Sequence, residues 1–414
     1  MEKGEINFEG SNRKLPDGWR WIKLNDVCIK ITDGTHHSPP NGREGIPYIT
    51  AKNIRPFRLD LTELTYVSPE DHAKIYKRCD PKPGDVLYIK DGVTMGIAAV
   101  NNLEYEFSLL SSVALLRPNP KILDSDFLAI CLNAPDTFNS VTASQSGSAI
   151  RRIVLKQIQE IKIPLPPLDE QKRIVPILNE QMEAVEKARQ NAIAQLKAAK
   201  ELPTAYLRDV FSSPEAQRWD RKRLKEVCDK ITDGTHQSPP FTTEGIPFLF
   251  VKNIVSGRID FKVNQYVSQK TYEELTRRSK PIKGDVLFSA VGSFGIAVVI
   301  ETDKPFIFQR HIALIKPKRE QVDSHFLTLY LNSPSGRQQS ELAALGVAQR
   351  TVTLQSLSDF EIFLPPYTIQ KYIAETLTEK LTEVERLCKT LEKQLEAIKK
   401  LPASILRQAF NGEL

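Results

Sequence analysis

The sequence predicts an α+β protein made of two tandem copies of one unit, each an α/β domain followed by a long helix. Three observations lead there. A self-similarity at a spacing of about two hundred residues runs the length of the chain. The first part of each copy holds short β-type runs separated by turn residues. The second part, poor in glycine and proline, carries a heptad of apolar residues.

The repeat comes first because it orders everything else. Ile29 to Pro40 reads IKITDGTHHSPP, and Asp229 to Pro240 reads DKITDGTHQSPP. The same offset pairs Trp19 with Trp219, Leu24 with Leu224 and Cys28 with Cys228. It also pairs the EGIP, KNI, YVS and GDVL blocks that begin at Glu44, Lys52, Tyr66 and Gly84. One deletion then shortens the offset, and the match continues through Gly96/Gly295, Leu132-Asn133/Leu331-Asn332, Arg151/Arg350 and Gln171/Gln370. It closes with LPTAYLRDVF (Leu202 to Phe211) against LPASILRQAF (Leu401 to Phe410). A period this long is a domain duplication and not a solenoid.

Within the first domain, IPYIT from Ile46, DVLYI from Asp85, IAAV from Ile97 and VALL from Val113 read as strands. DG, NG, PG and SPP clusters separate them. Helices are expected over 126–132 and 324–331, each stopped by Asn-x-Pro. The domain is therefore α+β with a curled sheet.

After Leu165-Pro-Pro167 and Leu364-Pro-Pro366 the pattern changes. Leu377, Leu381, Val384, Cys388, Leu391, Leu395 and Ile398 alternate spacings of four and three, a heptad seam. The first copy keeps the register as Leu178, Met182, Val185, Arg189, Ala192, Leu196 and Ala199, with a weaker set of side chains. A strict 3–4 pattern calls for a partner helix; separate amphipathic helices, each packed on its own domain, are the alternative. Pro203 and Pro402 are expected to end the two helices. Paired along their length, they form an antiparallel coiled coil with pseudo-twofold symmetry and a domain at each end. About 33 residues at 1.5 Å each make a rod of roughly 50 Å. The boundaries read as 1–165 (N-terminal segment and first domain), 166–201 (first helix), 202–365 (connector and second domain), 366–401 (second helix) and 402–414 (C-terminal segment).

Composition narrows the class of function. The 414 residues carry 57 Lys+Arg against 51 Asp+Glu, a formal charge of +6, and 41% are hydrophobic. That apolar fraction suits a folded chain. The mild positive charge permits a nucleic-acid partner without demanding one. The longest apolar stretches, such as Ser108 to Leu116, fall far short of the ~20 residues of a membrane helix. The polar N-terminus has no hydrophobic signal core. Five cysteines without a CxxC pair suggest neither a disulfide framework nor a zinc cage. A soluble, reduced, cytoplasmic protein with no membrane partner is the expectation.

The chain resembles the specificity (S) subunit of type I restriction–modification enzymes over nearly its whole length. The residues that carry the likeness are LPDGWRWIKLNDVC with TDGTH (Leu15 to His36) and PGDVL (Pro83 to Leu87). LPPLDEQKRIV (Leu165 to Val175) and the closing FNGEL (Phe410 to Leu414) complete them. The resemblance implies two target-recognition domains, each reading half of a bipartite, asymmetric site on double-stranded DNA. It implies that the helices set the spacer and, with their flanks, dock two methylation subunits that modify adenine on each strand. Those subunits would recruit restriction subunits where these are present. No cofactor is implied in this chain: S-adenosylmethionine belongs to the methylation subunits, ATP and magnesium to restriction subunits. A specificity subunit of a methylation-only complex is the alternative.

Self-contained catalysis finds little support in the residues. Ser238-Pro-Pro-Phe241 looks like the adenine-binding tetrapeptide of amino-methyltransferases, but the first copy has Ser38-Pro-Pro-Asn41, without the aromatic. No strand leads through a glycine-rich turn to a helix and an acidic residue, as S-adenosylmethionine binding requires. Pro135-Asp136 with Glu160-Ile-Lys162 mimics a nuclease metal site, yet its counterpart in the second copy has no lysine. His36, His37 and His72 do not repeat as a metal set, because the second copy has His236-Gln237 and no equivalent of His72. Catalytic residues: none; metal: none; and the chain is read as not an enzyme by itself.

The duplication also sorts residues for DNA contact. Positions shared by both copies suit fold or phosphate contact, and positions that differ inside matching loops suit base readout. Asp33-Gly34 and Asp233-Gly234 are expected to form a turn from which Thr35 and His36, or Thr235 and His236, project. A hydrogen-bonded turn histidine and a DNA-contacting one are both open readings. His37 faces Gln237, and Asn41-Gly-Arg43 faces Phe241-Thr-Thr243, an exchange of readout chemistry. Lys52-Asn53 and Lys252-Asn253 are shared; a solvated strand end is the alternative to phosphate contact. Lys90 to Thr94 faces Ala290 to Ser293, with Ser289 just before that loop a further candidate, and Gln309-Arg310 faces Leu110-Ser111. A small-residue loop leads into Arg151-Arg152 in one copy and into Arg350 in the other, and Arg151 and Arg350 are the leading phosphate candidates.

Overall fold

The computed structural model describes residues 15–143, 152–277, 280–344 and 350–414. The chain divides into two compact units. Residues up to Ala192 join Gln394–Leu414 in unit 1, and Ile193–Lys393 form unit 2. Each unit therefore contains its own α/β domain, the start of the helix that leaves it and the end of the other long helix.

Unit 1 contains β1 (Arg20–Lys23), β2 (Cys28–Asp33), β3 (Ile46–Ile49), β4 (Thr65–Val67), β5 (Val86–Ile89) and β6 (Ala98–Val100). Next come β7 (Ser108–Leu109), β8 (Val113–Pro118), helix α1 (Ser125–Asn133), β9 (Lys162–Leu165) and the start of the long helix α2 (Leu168–Phe211). The single curled sheet expected from sequence is instead three sheets and a small hairpin that pairs Ile54–Arg55 with Arg58–Leu59. One is four-stranded and antiparallel in the order β2-β8-β5-β6. The second is β4-β3-β7, with β3 and β7 parallel. The third pairs β1 with β9.

Unit 2 repeats this plan. Its strands are β10 (Asp220–Arg223), β11 (Cys228–Asp233), β12 (Ile246–Leu249), β13 (Tyr266–Val267) and β14 (Val286–Ser289). They continue with β15 (Ala297–Val299), β16 (Ile307–Phe308), β17 (Ile312–Pro317) and β18 (Glu361–Leu364), with α3 (Ser324–Asn332) before β18 and α4 (Tyr367–Phe410) after it. Their order is β11-β17-β14-β15, β13-β12-β16 and β10-β18.

The four-stranded sheets have two buried faces, and the period of two along each strand decides which face a residue serves. Val86, Tyr88, Ala114 and Leu116 point into a core shared with α1 and the long helices. Leu87, Ile89, Val113 and Leu115 point the other way, into a core with Ile49, Ile54, Phe107 and Leu109. Unit 2 splits in the same manner, with Val286, Phe288, Ala313 and Ile315 on one side and Leu287, Ile312 and Leu314 on the other. The edge strand is finished by the asparagine that ends the short helix. Asn133 accepts from the Ala98 amide at 3.1 Å and donates to the Ala98 carbonyl at 2.8 Å, and Asn332 does the same to Ala297 at 3.0 and 2.8 Å.

The start of each long helix is bracketed by one buried glutamine. Gln171 Oε1 accepts from the Asp124 amide at 2.8 Å, while its Nε2 donates to the Ile122 and Pro166 carbonyls, each at 2.9 Å. Gln370 repeats the pattern on Asp323, Gln321 and Pro365. Both glutamines have at most 1% of their surface exposed, so an amide with three partners is what this site requires.

Pro203 and Pro402 do not end the helices: α2 and α4 run through them to Phe211 and Phe410. An interior proline costs about 3 kcal/mol. Beyond each one, burial outweighs that cost, at roughly 1.5–3 kcal/mol for each large apolar side chain. Leu406, Ala409 and Phe410 join the core of unit 1, and Leu207 and Phe211 join that of unit 2. Phe410 meets Phe127 edge-on at 6.3 Å, and Phe211 meets Phe326 at 5.5 Å and Tyr330 at 5.3 Å.

Between these anchors the seam positions are the covered ones. Leu178, Ala192, Ala199, Leu377, Val384, Leu391 and Ile398 are buried, and Met182, Val185, Leu196, Leu381, Cys388 and Leu395 are half-buried. Arg189 lies in the seam but turns its guanidinium to Glu186, with both bonds at 2.7 Å. That pairing holds the Glu186 carboxyl down at about 2. Within unit 2 the two helices are side by side, with Lys200 Nζ 3.1 Å from Glu392. No helix among the described residues is long and apolar enough to cross a membrane.

Phe410 closes the second repeat yet belongs to the first unit's core. Phe410→Ala should therefore destabilise unit 1 by about 3–5 kcal/mol. Native-state hydrogen exchange on the full chain should lose protection in β5 and β8 and keep it in β14 and β17. Equal loss in both units, or loss in unit 2 alone, would contradict the assignment.

Candidate nucleic-acid interface

At one end of each four-stranded sheet, main-chain hydrogen bonds stitch the candidate loops into a row. β2 ends at Asp33, and the Gly34 amide donates to the Val113 carbonyl at 3.3 Å. Thr35 donates to Leu109 at 2.8 Å and accepts from Ser111 at 2.9 Å. Ser112 accepts from the Lys90 amide, and the Lys90 carbonyl accepts from Ile153, each at 2.9 Å. The loops 33–37, 110–112, 90–94 and 152–153 are thus neighbours in that order. Unit 2 repeats the row: Thr235 bonds Phe308 and Arg310, His311 accepts from Ala290, and Ala290 accepts from Val352.

The shared Asp-Gly is not a turn. A Cβ on Gly34 would lie 1.9 Å from the Leu109 carbonyl oxygen, and one on Gly234 would lie 2.1 Å from that of Phe308. Glycine is needed here because two backbones meet, and the chain bends only afterwards, at His36-His37 and His236-Gln237. Thr35 and Thr235 hold the bend by donating to the carbonyls of His37 at 3.0 Å and Gln237 at 2.8 Å. All four bend residues are exposed. His36 Nε2 lies 3.3 Å from Asp33 and His236 Nε2 lies 2.9 Å from Asp233, so each histidine is within ion-pair distance of its loop's aspartate while facing outward.

Four sequence candidates are removed from the surface. Lys90 is 2% exposed, with its ammonium 3.1 Å from the equally buried Asp33. Ser289 is fully buried, and its hydroxyl accepts from the Ile296 amide at 2.8 Å. Asn53 and Asn253 are 3% and 2% exposed. They cap the short turns after β3 and β12: Asn53 accepts from the Thr50 amide at 3.1 Å and Asn253 from Phe250 at 2.9 Å. Their side-chain nitrogens donate to the Asp60 and Asp260 carbonyls at 3.1 and 3.0 Å. For the two asparagines the repeat identity marks a fold requirement, since a buried polar group must be bonded.

The other candidates remain accessible. Arg43, Lys52, Thr94, Lys252, Ser293 and Arg310 are exposed, and Gln309 is half-buried. Lys52 and Thr94 line one cleft, as do Lys252 and Gln309 in the other unit. Arg152 is 3.1 Å from Asp91. Arg350 bonds Glu341 at 2.7 Å and stacks its guanidinium over Phe294 at 5.1 Å. Arg151 and the small-residue loops 146–150 and 345–349 lie outside the described residues. Burial, and after it the neighbouring Arg310, hold His311 below its ordinary pKa, which favours the neutral imidazole on this edge.

Sequence reasoning passed over Arg78. Its guanidinium bonds the Asp33 carboxylate, lies 3.4 Å from His36 and keeps 52% of its side chain exposed. The signal was present: the offset that pairs the histidines pairs Arg78 with Arg278, itself outside the described residues. Phe241, singled out as a methyltransferase-like aromatic, is 37% exposed and rests edge-on against Phe248. Burial pushes the Cys28, Cys79 and Cys228 thiols up to about 12, which suits packing and not nucleophilic attack. Among the described residues there is no cluster of three metal-ligating side chains.

Comparison with known proteins gives a consistent result. The family described as "Type I restriction modification DNA specificity domain" matches twice, over residues 16–195 and 216–397. The type I restriction enzyme MjaVIII specificity subunit of Methanocaldococcus jannaschii is 25% identical, over 99% of this chain and 96% of its own length. The EcoKI specificity subunit of Escherichia coli K12 is 24% identical, over 97% and 90%. Among solved structures, a chain from a study of complex assembly and conformational transition in the type I R-M system superposes with a TM-score of 0.75. It is 24% identical and is covered completely by 97% of this chain. The HsdS subunit from Thermoanaerobacter tengcongensis gives 0.63 at 22% identity, over 98% of this chain and all of its own. At these identities the two structures speak to the fold alone. With its duplicated domain matched almost end to end, the chain belongs to the family of type I restriction–modification specificity subunits and carries two target-recognition domains.

Proposed function

We propose that this chain is the non-catalytic subunit that gives a type I restriction–modification complex its DNA sequence specificity. Each unit reads one half of a bipartite, asymmetric site on double-stranded DNA. The two long helices set the spacer between the halves. The helices and their flanks dock two methylation subunits, which bind S-adenosylmethionine and modify adenine. Restriction subunits, where present, supply the ATP- and magnesium-dependent chemistry.

The observation that carries this reading is the repeated row of loops. One scaffold occurs twice, with the same backbone bonds, and displays different side chains at matching points: His37 against Gln237, Arg43 against Thr243 and Ser111 against Arg310. Matched backbones with unmatched tips suit two related modules that read unlike half-sites. The bracketed and anchored helices favour a fixed spacing, and half-site separation then follows from helix length.

Three outcomes are expected. DNA affinity of the chain with its methylation partner should fall steeply with salt, log K dropping by about 0.9 per phosphate contact for each unit of log salt. A flat, sequence-indifferent titration would reject the DNA-reading role. Exchange of residues 26–164 for the matching part of another such subunit should change one half-site and preserve the other, as scored by modification sequencing. Removal of seven residues from each long helix should alter the preferred spacer and leave both half-sites intact; altered half-sites at an unchanged spacer would refute the ruler.

A further inference from the structure

The two units hold their shared Asp-Gly-Thr-His loop by different means. In unit 1, Asp33 is met from three elements. Lys90, at the end of β5, reaches it at 3.1 Å, Arg78 bonds its other oxygen, and His36 on the loop itself lies 3.3 Å away. Lys90 and Asp33 each expose 2% of their side chains, whereas Arg78 and His36 expose 52% and 47%. In unit 2, Ala290 stands where Lys90 does, and Asp233 lies 2.9 Å from His236 with 23% of its side chain exposed. Gly34 packs against the backbone of Leu109 in unit 1, and Gly234 against that of Phe308 in unit 2, so the main-chain part of the device is common.

A buried ammonium and a buried carboxylate hold each other in place, because either one left alone in the interior is strongly unfavourable. The pair ties the loop after β2 to the loop after β5, two neighbours in the row. One face of Asp33 is occupied from inside by Lys90, and its remaining capacity is directed outward, onto Arg78 and His36. The geometry points to Lys90 as a positioning residue for DNA reading in unit 1. Without touching DNA, it fixes Asp33, and through Asp33 it fixes the outward aim of Arg78 and His36 and the seat of the 90–94 loop. Unit 2 reads its half-site without such a residue. This inference rests on the reading of the loop row as the DNA-contacting edge.

The test uses the full chain in complex with its methylation subunits. Binding is measured against a panel of duplexes that carry one base change at a time across both half-sites. Lys90→Met keeps the length of the side chain and removes its charge. Discrimination against wrong bases should fall at least fivefold at positions of one half-site and stay within twofold at every position of the other. Thermal unfolding of the variant complex, followed by circular dichroism, accompanies the binding data. If Lys90→Met does not fold, the double variant Asp33→Asn with Lys90→Met, which removes both buried charges, takes its place with the same expected result. Discrimination that is unchanged, lost at both half-sites, or accompanied by one uniform weakening on every duplex would overturn the positioning role. A wild-type complex that fails to discriminate among the duplexes would instead overturn the reading of the loop row, and this inference with it.

Discussion

Each long helix is fixed at both ends, by a buried glutamine where it starts and a buried phenylalanine where it finishes. The glutamine bonds three backbone groups of the domain the helix leaves. The phenylalanine enters the core of the other unit. The first attachment resists rotation because three directional hydrogen bonds must break together at a buried side chain. The second resists fraying through close packing, which is equally intolerant of partial loss. Neither α/β domain is complete alone, since each core counts residues from both helices. That explains why the sequence motifs outside the domains, LPP-x3-Q at the helix starts and LRxxF at their ends, repeat as faithfully as those inside.

On this frame the two units present one architecture with two chemistries. The strand cores differ by ordinary apolar exchanges, such as Tyr88 for Phe288 and Leu116 for Ile315, which leave the sheet order intact. The loop row differs in charge and hydrogen-bonding type, while the backbone bonds that link Thr35, Ser111, Ser112, Lys90 and Ile153 recur at Thr235, Arg310, His311, Ala290 and Val352. Scaffold and display are thereby separated, which lets the side chains on one unit's loops change without disturbing the other's.

Much of this was legible before the structure. The duplication located the units, short β-type runs between turn clusters located β3, β5, β6 and β8, and the heptad identified the covered face of the long helices. What failed did so for local physical reasons. Pro203 and Pro402 read as stops because proline removes a hydrogen bond; burial of Phe211 and Phe410 about two turns later outweighs that loss, and tertiary packing is invisible to a local rule. Asp33-Gly34 was read as a turn because the dipeptide favours one, whereas the glycine there admits a neighbouring backbone. Lys90, Asn53 and Ser289 were read as surface polar residues because their partners are distant in sequence or lie on the backbone. Arg78 was passed over since it follows a helix and not one of the recognised loops, although its match with Arg278 was in view.

The most direct measurement is modification sequencing of the genome of a host that expresses this chain with its methylation subunit. The account predicts a single class of modified site: two unlike half-sites, each with a modified adenine, on opposite strands and separated by a spacer of constant length. A contiguous motif, a palindrome of identical halves, or half-sites at freely varying separation would contradict it.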